Sequence, residues 1–345
     1  MMSHVRARAM PPAVLAVVLL GAGALAREPL QQSVTGTIWV ANRGAHTIRA
    51  FDASTGAVVH TVTMSPNSQP GDLAFAKGKI YVAEEFGTPP AIAVVDAGTG
   101  VILHRIILPA GARPHHVHAS AGGNLIAVGL FGTDLVAVVN THTDELLGMW
   151  DSNPTTTNGR VHAAVFAQDD TIYLAVDVTG QVVAMNPYDG TVLWSMSVPA
   201  VHELAVTHNG KTVYATRRGA NRLAVINVEE QTFHDVLTIG LPDTLRLTPN
   251  EKVLTVGLRT SPAQLAVVDT GTLTAHLVDL SAPGETTTIG GHQWTSRNGR
   301  YTFAAFEGGS NPGVAVIDHE AGHRVIDVLA YPGRPHGVDR ALPPE

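Results

Sequence analysis

The chain has 345 residues, no cysteine and a formal net charge of −7. The lack of cysteine excludes disulfide bonds and thiolate metal ligands, and the negative charge disfavours nucleic acid as a partner. With 34 glycines and 21 prolines, the composition favours many tight turns and few helices.

Residues 1–26 have the pattern of a secretory signal peptide. Arg6 and Arg8 give a positive start, residues 13–20 are apolar, and Ala24-Leu25-Ala26 offers a small-residue cleavage site. The apolar run is short for a membrane span, so no span is expected after cleavage, with an uncleaved N-terminal anchor as the alternative. The sequence therefore predicts a periplasmic or secreted protein.

Seven segments of similar pattern follow this leader. Each contains an apolar strand such as Ile80-Tyr81-Val82-Ala83, then a second strand that ends in Asp or Asn, such as Ile92-Ala93-Val94-Val95-Asp96. Asp and Asn suit the turn after that strand because their side chains bond the backbone two residues on. Repeats of about 40–50 residues with four short strands indicate propeller blades. We therefore expect residues 27–345 to form an all-β, seven-bladed β-propeller.

The two ends of the repeat array are complementary. The first repeat, which begins near Thr35, lacks a first strand, and the last segment, 335–338, has no full blade after it. We expect the C-terminal segment to supply the innermost strand of the first blade. That pairing closes the ring and removes the sheet edges that an open array would expose.

The strand pattern resembles the YVTN-repeat, YncE-like family of bacterial propellers. The resemblance lies in the Tyr-Val-Ala type strand at 80–83 and the Val-Ile-Asp type strand at 316–318, and it covers nearly all of residues 35–341. It implies the propeller fold but no particular function, because one fold hosts many activities.

Histidine recurs at one position of the repeat. Two repeats carry Gly71 and Asp243 at this position, and the other five carry His115, His162, His202, His292 and His336. The chain has 17 histidines in all, so five in seven equivalent positions is a strong local enrichment. The position falls at the entry to the innermost strand, so we expect the five imidazoles to meet at one mouth of the axial channel.

Converging imidazoles predict a metal site. Neutral imidazole is the commonest transition-metal ligand, and several together favour copper or zinc over calcium or magnesium. Because the channel is wide, we expect three or four ligands on one side, with His115, His202 and His336 favoured. The full set of candidate metal ligands is His115, His116, His162, His202, His292, His336 and Asp243.

Charged residues end the strands that return to the same face. Arg43, Arg217 and Arg259 indicate that a small anionic ligand binds at the mouth, because guanidinium groups recognise carboxylate and phosphate. Glu84 and Glu307, together with the candidate ligand Asp243, are expected to orient the ring N–H groups of metal-binding histidines.

One short run has a second resemblance. His115-His116-Val117-His118 resembles the His-His-x-His segment of nitrous oxide reductases, which are also seven-bladed propellers with copper held by channel histidines. The resemblance implies that His115 and His116 are copper ligands. Because the sequence has no cysteine, that family's second copper domain is not expected and nitrous oxide reduction is not predicted.

Three functions remain open on the sequence. The first is binding of copper or zinc, or of a small ligand through the metal. The second is a lactonase-like enzyme acting on a small anion, with histidine as general base and arginine as clamp, although no catalytic residue is identified. The third is a passive scaffold that binds a periplasmic protein partner through its broad faces. A separate alternative to the metal site is that the histidines are inherited by blade duplication and have no present role. Trp294 stands out from the other tryptophans because it follows His292 on an inner strand.

Overall fold

The computed structural model describes residues 34–152, 159–281 and 289–341, which form seven four-stranded antiparallel sheets. The seven-bladed, all-β prediction is confirmed. The predicted signal peptide, residues 1–26, lies outside the described residues. One short 3₁₀ helix, Arg218–Ala220, interrupts the strands, and no helix in the described part has the length and apolar character that crossing a bilayer requires.

Blade 1 joins the two ends of the chain, as predicted. Its strands are β1 (Thr37–Asn42), β2 (Thr47–Asp52), β3 (Val58–Thr63) and the last strand, β28 (Pro335–Ala341). The innermost strand is β28, which pairs with β1 in antiparallel fashion from Thr37↔Ala341 to Asn42↔Pro335. The ring is therefore closed by hydrogen bonds between its first and last strands.

Blades 2 to 4 follow, each running from the innermost strand outward. Blade 2 consists of β4 (Pro70–Ala76), β5 (Lys79–Glu84), β6 (Ala91–Asp96) and β7 (Ile102–Ile107). Blade 3 consists of β8 (Pro114–Ala119), β9 (Leu125–Leu130), β10 (Leu135–Asn140) and β11 (Glu145–Asp151). Blade 4 consists of β12 (Val161–Phe166), β13 (Ile172–Val176), β14 (Gln181–Met185) and β15 (Val192–Ser197).

Blades 5 to 7 repeat this order. Blade 5 consists of β16 (Glu203–Val206), β17 (Thr212–Arg217), β18 (Arg222–Asn227) and β19 (Thr232–Thr238). Blade 6 consists of β20 (Pro242–Leu247), β21 (Val253–Leu258), β22 (Gln264–Asp269) and β23 (Ala275–Asp279). Blade 7 consists of β24 (Ile289–Thr295), β25 (Tyr301–Glu307), β26 (Gly313–Asp318) and β27 (Arg324–Ala330).

The hydrophobic core lies between the blades. Each of the seven clusters of buried side chains joins two neighbouring blades, for example Tyr81 of blade 2 with Val128 of blade 3, and Phe51 of blade 1 with Phe303 of blade 7. Both faces of the second and third strands are apolar because each blade packs on two others. This explains the near-continuous runs of Val, Ile and Ala in those strands.

The turns between third and outermost strands use the expected Asx chemistry. Asp52 Oδ1 accepts hydrogen bonds from the backbone N–H of Ser54 (3.0 Å) and of Thr55 (2.7 Å) and from the Thr55 hydroxyl (2.8 Å). Asp96 and Asp269 repeat the arrangement in blades 2 and 6. The side chain replaces a backbone acceptor and fixes the turn.

Candidate functional site

A β-bulge at the start of the innermost strand shapes the channel. In blade 3, Pro114 pairs with Leu130 and Val117 with Val128, so His115 and His116 together oppose the single residue Gly129. Blades 1, 2, 6 and 7 shift register at the same place. A bulge leaves two consecutive residues opposite one, and here both of them turn into the channel.

The bulge arranges the channel side chains in layers. The first bulge position forms the layer at the mouth: Gly71, His115, His162, His202, Asp243, Gly291 and His336. The second position forms a deeper layer, in which the polar members are Asp72, His116, Glu203, Thr244 and His292. The sequence alignment was therefore wrong by one residue at His292, which is the counterpart of His116 and not of His115. The two-for-one register of the bulge is the physical reason.

Six imidazoles form one continuous cluster. The ring centroid of His116 lies 4.6 Å from that of His115, 4.4 Å from His162 and 4.4 Å from His292, on which it stacks across the channel. His162 and His202 approach to 3.7 Å, and His292 and His336 to 4.6 Å. The structure thus brings together all six histidines that the sequence nominated.

Carboxylates surround the imidazoles. Glu85 Oε2 lies 3.1 Å from His115 Nδ1, and Asp243 Oδ1 lies 2.9 Å from His202 Nε2. In the deeper layer, Asp72 lies 3.4 Å from His292 Nδ1 and 3.6 Å from His116 Nδ1. Asp243 therefore contacts an imidazole as predicted.

Arginines pair with these acids around a cavity of about 290 Å³. Arg43 Nη2 lies 2.5 Å from Glu85 Oε2 and 3.1 Å from His115 Nδ1. Arg259 lies 3.5 Å from Asp243 and 3.6 Å from Glu307. Two of the three predicted arginines therefore face the cavity, and Glu307 pairs with arginine and not with imidazole.

The Arg43 guanidinium also explains why blade 2 has glycine in the mouth layer. A Cβ at Gly71 would lie 3.0 Å from Arg43 Nη2. The ion pair of Arg43 and Glu85 occupies the space that an imidazole fills in four other blades.

Two sequence predictions selected the wrong neighbour in a pair. Arg217 points outward, donating to Pro199 O and to Asp235, whereas Arg218 reaches Asp243 at 2.6 Å. Glu84 accepts from Ser65 and Arg105, whereas Glu85 reaches His115. Successive residues of a strand point to opposite sides, so an error of one residue at a strand end exchanges the channel residue for its neighbour.

Burial keeps the imidazoles in the form that binds metal. Burial lowers the pKa of His115 and lowers the pKa of His116, His162 and His336 well below the ordinary histidine value. Removing charge from water is costly, so these rings stay neutral near pH 7. A neutral ring has a lone pair for a metal or for a proton.

The acids of the two layers differ in protonation state. Burial alone would raise the pKa of Glu85, but His115 and Arg43 hold it at about 2, so Glu85 is charged. Burial, with the charges of Asp72 and Asp243, raises the pKa of Glu203 well above its ordinary value. The contacts of Glu203 with His116 (3.4 Å) and His118 (3.8 Å) are therefore contacts of a neutral acid.

Among the described residues, two groups of side chains have their ligand atoms close enough to hold one metal ion. The ligand atoms of His115, His116 and His162 all lie within 4.8 Å of one another, and so do those of Asp72, His116 and His118. The buried Nδ1 atoms of His116 and His162 have no hydrogen-bond partner among the described residues. A buried nitrogen without a partner is costly, and a metal ion would satisfy it.

The sequence analysis assigned no site role to four channel residues: Glu85, Arg113, Arg218 and His118. Glu85 and Arg218 each follow a residue that it nominated, and Arg113, two residues before His115, donates to Glu85 at 2.8 Å. His118 follows His116 by two residues, and the period of two along a strand would have placed it on the same side of the sheet.

Solved structures share this fold at low sequence identity. Dihydro-heme d1 dehydrogenase NirN, in complex with DHE, superposes on 86% of this chain with a TM-score of 0.63 and 13% identity, and the match spans 64% of that enzyme's length. A candidate 6-phosphogluconolactonase from Bacteroides uniformis gives 0.66 and 17% identity over 89% of this chain and 100% of its own. A streptogramin B lyase gives 0.65 and 13% identity over 78% and 86%. These likenesses show the fold alone.

The family assignment comes from the sequence. No curated protein matches the chain, and the narrower resemblance to YVTN-repeat, YncE-like propellers stays a prediction. A family model described as lactonase, 7-bladed beta-propeller matches residues 108–288, which is more than half of the chain. The chain belongs to the family described as lactonase, 7-bladed beta-propeller.

Proposed function

We propose that the histidine mouth binds one divalent transition-metal ion, zinc or copper, and holds a small anionic ligand beside it. The observation that carries the proposal is the grouping of His115, His116 and His162, whose ligand atoms lie within 4.8 Å of one another. All three rings are largely withdrawn from water and neutral. Three imidazoles without thiolates are a donor set that suits zinc or copper.

This group differs from the set that the sequence favoured. His202 already bonds Asp243 at 2.9 Å, and the His336 ring contacts that of His292, with 4.6 Å between their centroids. The bulge instead brings His116 next to His115. We therefore assign His115, His116 and His162 as ligands, and His202, His292, His336 and Asp243 as their surroundings.

A nearby acid would orient one of the ligands. The charged carboxylate of Glu85 lies 3.1 Å from His115 Nδ1, whereas Asp72, 3.6 Å from His116 Nδ1, is beyond hydrogen-bond distance and leaves that nitrogen to the metal. A carboxylate that accepts a ring N–H fixes the tautomer, leaving the other nitrogen for the metal. Loss of such a partner typically weakens metal affinity by about 10–100-fold.

The arginines supply the anion site. Arg43 and Arg259 face the cavity beside the imidazoles, and Arg218 joins them through Asp243. Three protein ligands leave a coordination position for water or a ligand oxygen. A carboxylate or phosphate at that position would meet both the metal and a guanidinium, which recognises such groups well.

Lactone hydrolysis at the same mouth is the second candidate. The family model and the candidate 6-phosphogluconolactonase neighbour favour it. His336 Nδ1 is buried without a hydrogen-bond partner among the described residues, and its ring is neutral. It could accept a proton from water attacking a lactone carbonyl, while Arg259 stabilises the developing negative charge on oxygen. The ester bond then opens to a hydroxy acid.

Export of the chain is also a proposal. It rests on the pattern of residues 1–26. A periplasmic or secreted location would expose the mouth to extracellular metal and small anions, and it leaves room for a protein partner in the same compartment.

Metal titration tests the main proposal. Chelator-treated protein should bind one zinc or copper ion near neutral pH, and His115→Ala/His162→Ala should weaken binding by at least about 100-fold. His208→Ala/His234→Ala removes two exposed histidines outside the channel and serves as the matched control. Equal affinity in the channel variant and the control would reject the site.

A lactone panel tests the second candidate. Hydrolysis would be followed by acid release, with Arg259→Gln and His336→Gln expected to lower kcat/KM by about 100-fold each. Activity that survives chelator treatment would separate this chemistry from the metal. Absence of turnover on every lactone would remove the candidate.

A further inference from the structure

The opposite end of the channel contains a second, larger cavity of about 460 Å³. It lies beyond the deeper layer, where the innermost strands pair in regular register. Four side chains that face one another across it are His118, Arg246, Trp294 and Asp339. They occupy one equivalent position of four blades, opposite Ala127, Thr255, Phe303 and Trp39 respectively.

The other three blades carry smaller apolar residues at this position. The equivalent residues are Ala74 in blade 2, Val165 in blade 4 and Ala205 in blade 5, opposite Tyr81, Tyr173 and Tyr214. One position of the repeat thus carries polar or aromatic side chains in four blades and smaller apolar ones in three. The volume of the cavity is within the range of sites for small organic molecules.

The cavity is cationic although the chain is acidic overall. Its lining includes Lys77, Arg246, Arg297 and Arg340, and Asp339 is the one acid among the described residues that line it. The whole sequence carries a net charge of −7. A concentration of positive charge in a cleft of such a protein attracts anions locally.

Asp339 does not neutralise these cations by direct pairing. Its Oδ2 accepts the backbone N–H of Phe75 and its Oδ1 accepts the backbone N–H of Arg340, both at 2.8 Å. Arg340 donates through Nε and Nη2 to Thr35 O and Oγ1, at 2.6 and 3.0 Å. The Asp339 carboxylate therefore accepts hydrogen bonds from the backbone and pairs with none of these cations.

Arg246 is held in place but retains free donors. Its Nε donates to Gln293 O at 3.4 Å, and its terminal nitrogens make no hydrogen bond to the described part of the chain. His118 Nε2 is buried and likewise lacks a hydrogen-bond partner there. Both side chains can bond a ligand oxygen.

We propose that this cavity is a binding site for a small organic anion, whose carboxylate or phosphate group bonds Arg246 and His118 and whose apolar part packs on Trp294. The Trp294 ring forms one wall, and the Arg340 guanidinium lies 5.9 Å from its centroid. The indole face supplies flat apolar area beside the donors. This site is separate from the histidine mouth and does not depend on metal binding there.

Calorimetric titration tests the site with two probes, trimesate for flat carboxylates and pyrophosphate for phosphates. At least one should bind, and Arg246→Gln should weaken it by about tenfold or more, since a charge-assisted hydrogen bond is lost. Arg324→Gln, at an exposed position on β27, removes the same charge elsewhere and should leave binding unchanged. Trp294 fluorescence should change on titration, and Trp294→Phe should abolish that change.

The histidine mouth also contains arginines, so the test must separate the two ends. Arg259→Gln should leave binding of the probe unchanged, and an anion that responds to Arg259→Gln but not to Arg246→Gln would overturn the proposal. No binding of either probe would overturn it as well. If Arg246→Gln does not fold, Arg297→Gln removes an exposed rim cation and should weaken binding by about threefold through lost attraction.

Discussion

The two mouths of the channel are built from the same seven strands but present different sets of side chains. At the strand starts, bulges turn pairs of residues such as His115 and His116 inward, and six imidazoles gather among paired acids and arginines. At the other end the register is regular, and one residue per blade faces the cavity, among them Arg246 and Trp294. Local register thus decides how many side chains each blade gives to a site.

This difference shows how a repeat fold can bring many potential metal ligands into contact. An unbulged strand offers the channel alternate residues, so neighbouring functional residues cannot share a side. The bulge lifts that restriction. His115 and His116 contact each other at the mouth, whereas His118, in the regular part of the same strand, lies toward the second cavity.

The largest expected effect comes from removing the strand that serves both mouths. β28 carries His336 at one end and Asp339 at the other. Deletion of residues 333–345 should open the ring and expose the edge of β1, with loss of cooperative unfolding and aggregation. Thermal melting by circular dichroism checks this. A truncated protein with the melting curve of the full chain would contradict ring closure.

Two buried acids, one at each mouth, have pKa values that shift in opposite directions. Interactions with His115 and Arg43 outweigh burial and lower the pKa of Glu85 to about 2, whereas burial raises the pKa of Asp339 to about 6. Near pH 7, Glu85→Gln should lower the free energy of unfolding by about 3–5 kcal/mol, since it leaves Arg43 buried without its partner. Asp339→Asn should cost less, at most about 1–3 kcal/mol, because it removes a charge that the folded state disfavours but replaces one of two acceptors of a backbone N–H by an NH2 donor.

Denaturant unfolding of both variants measures this difference. Equal destabilisation by the two substitutions would show that the acids have the same role at both ends. A smaller loss for Glu85→Gln than for Asp339→Asn would reverse the electrostatic contrast between the mouths.

The smallest expected effect is the pH dependence contributed by His118. Its folded pKa is about 3 and its unfolded value is about 6.5, so the unfolded state binds more protons between these values. Stability therefore falls as pH drops below about 6.5. In metal-free protein, His118→Gln should reduce the loss of stability between about pH 7.5 and pH 5.5 by about 1 kcal/mol. An identical pH profile in the variant would show that His118 is not buried as a neutral ring.

Blade number, ring closure and the meeting of imidazoles could be predicted because they follow from recurring columns. The apolar strands and Asx turns recur seven times, and a missing first strand with a surplus last one requires closure. These features need only the approximate position of each strand. They do not depend on the direction of any single side chain.

The finer assignments failed where one residue matters. The sequence predicts site roles for Glu84 and Arg217, whereas Glu85 and Arg218 contact the channel residues. Strand ends cannot be located to one residue by pattern, and a step of one residue reverses the direction of the side chain. His292 was aligned with His115 because a bulge has no sequence signature here. His118, Arg246 and Asp339, which line the second cavity, each follow the mouth position of their blade by three residues. A comparison of the repeats at that second position would therefore have found them.

The most direct test of the metal proposal is the position of the ion itself. Crystals of the protein loaded with one equivalent of zinc or copper should give an anomalous peak at the metal edge. We predict that the peak lies at about 2.0–2.1 Å from ring nitrogens of His115, His116 and His162. A peak at exposed histidines alone, or an empty channel in metal-loaded crystals, would contradict the account.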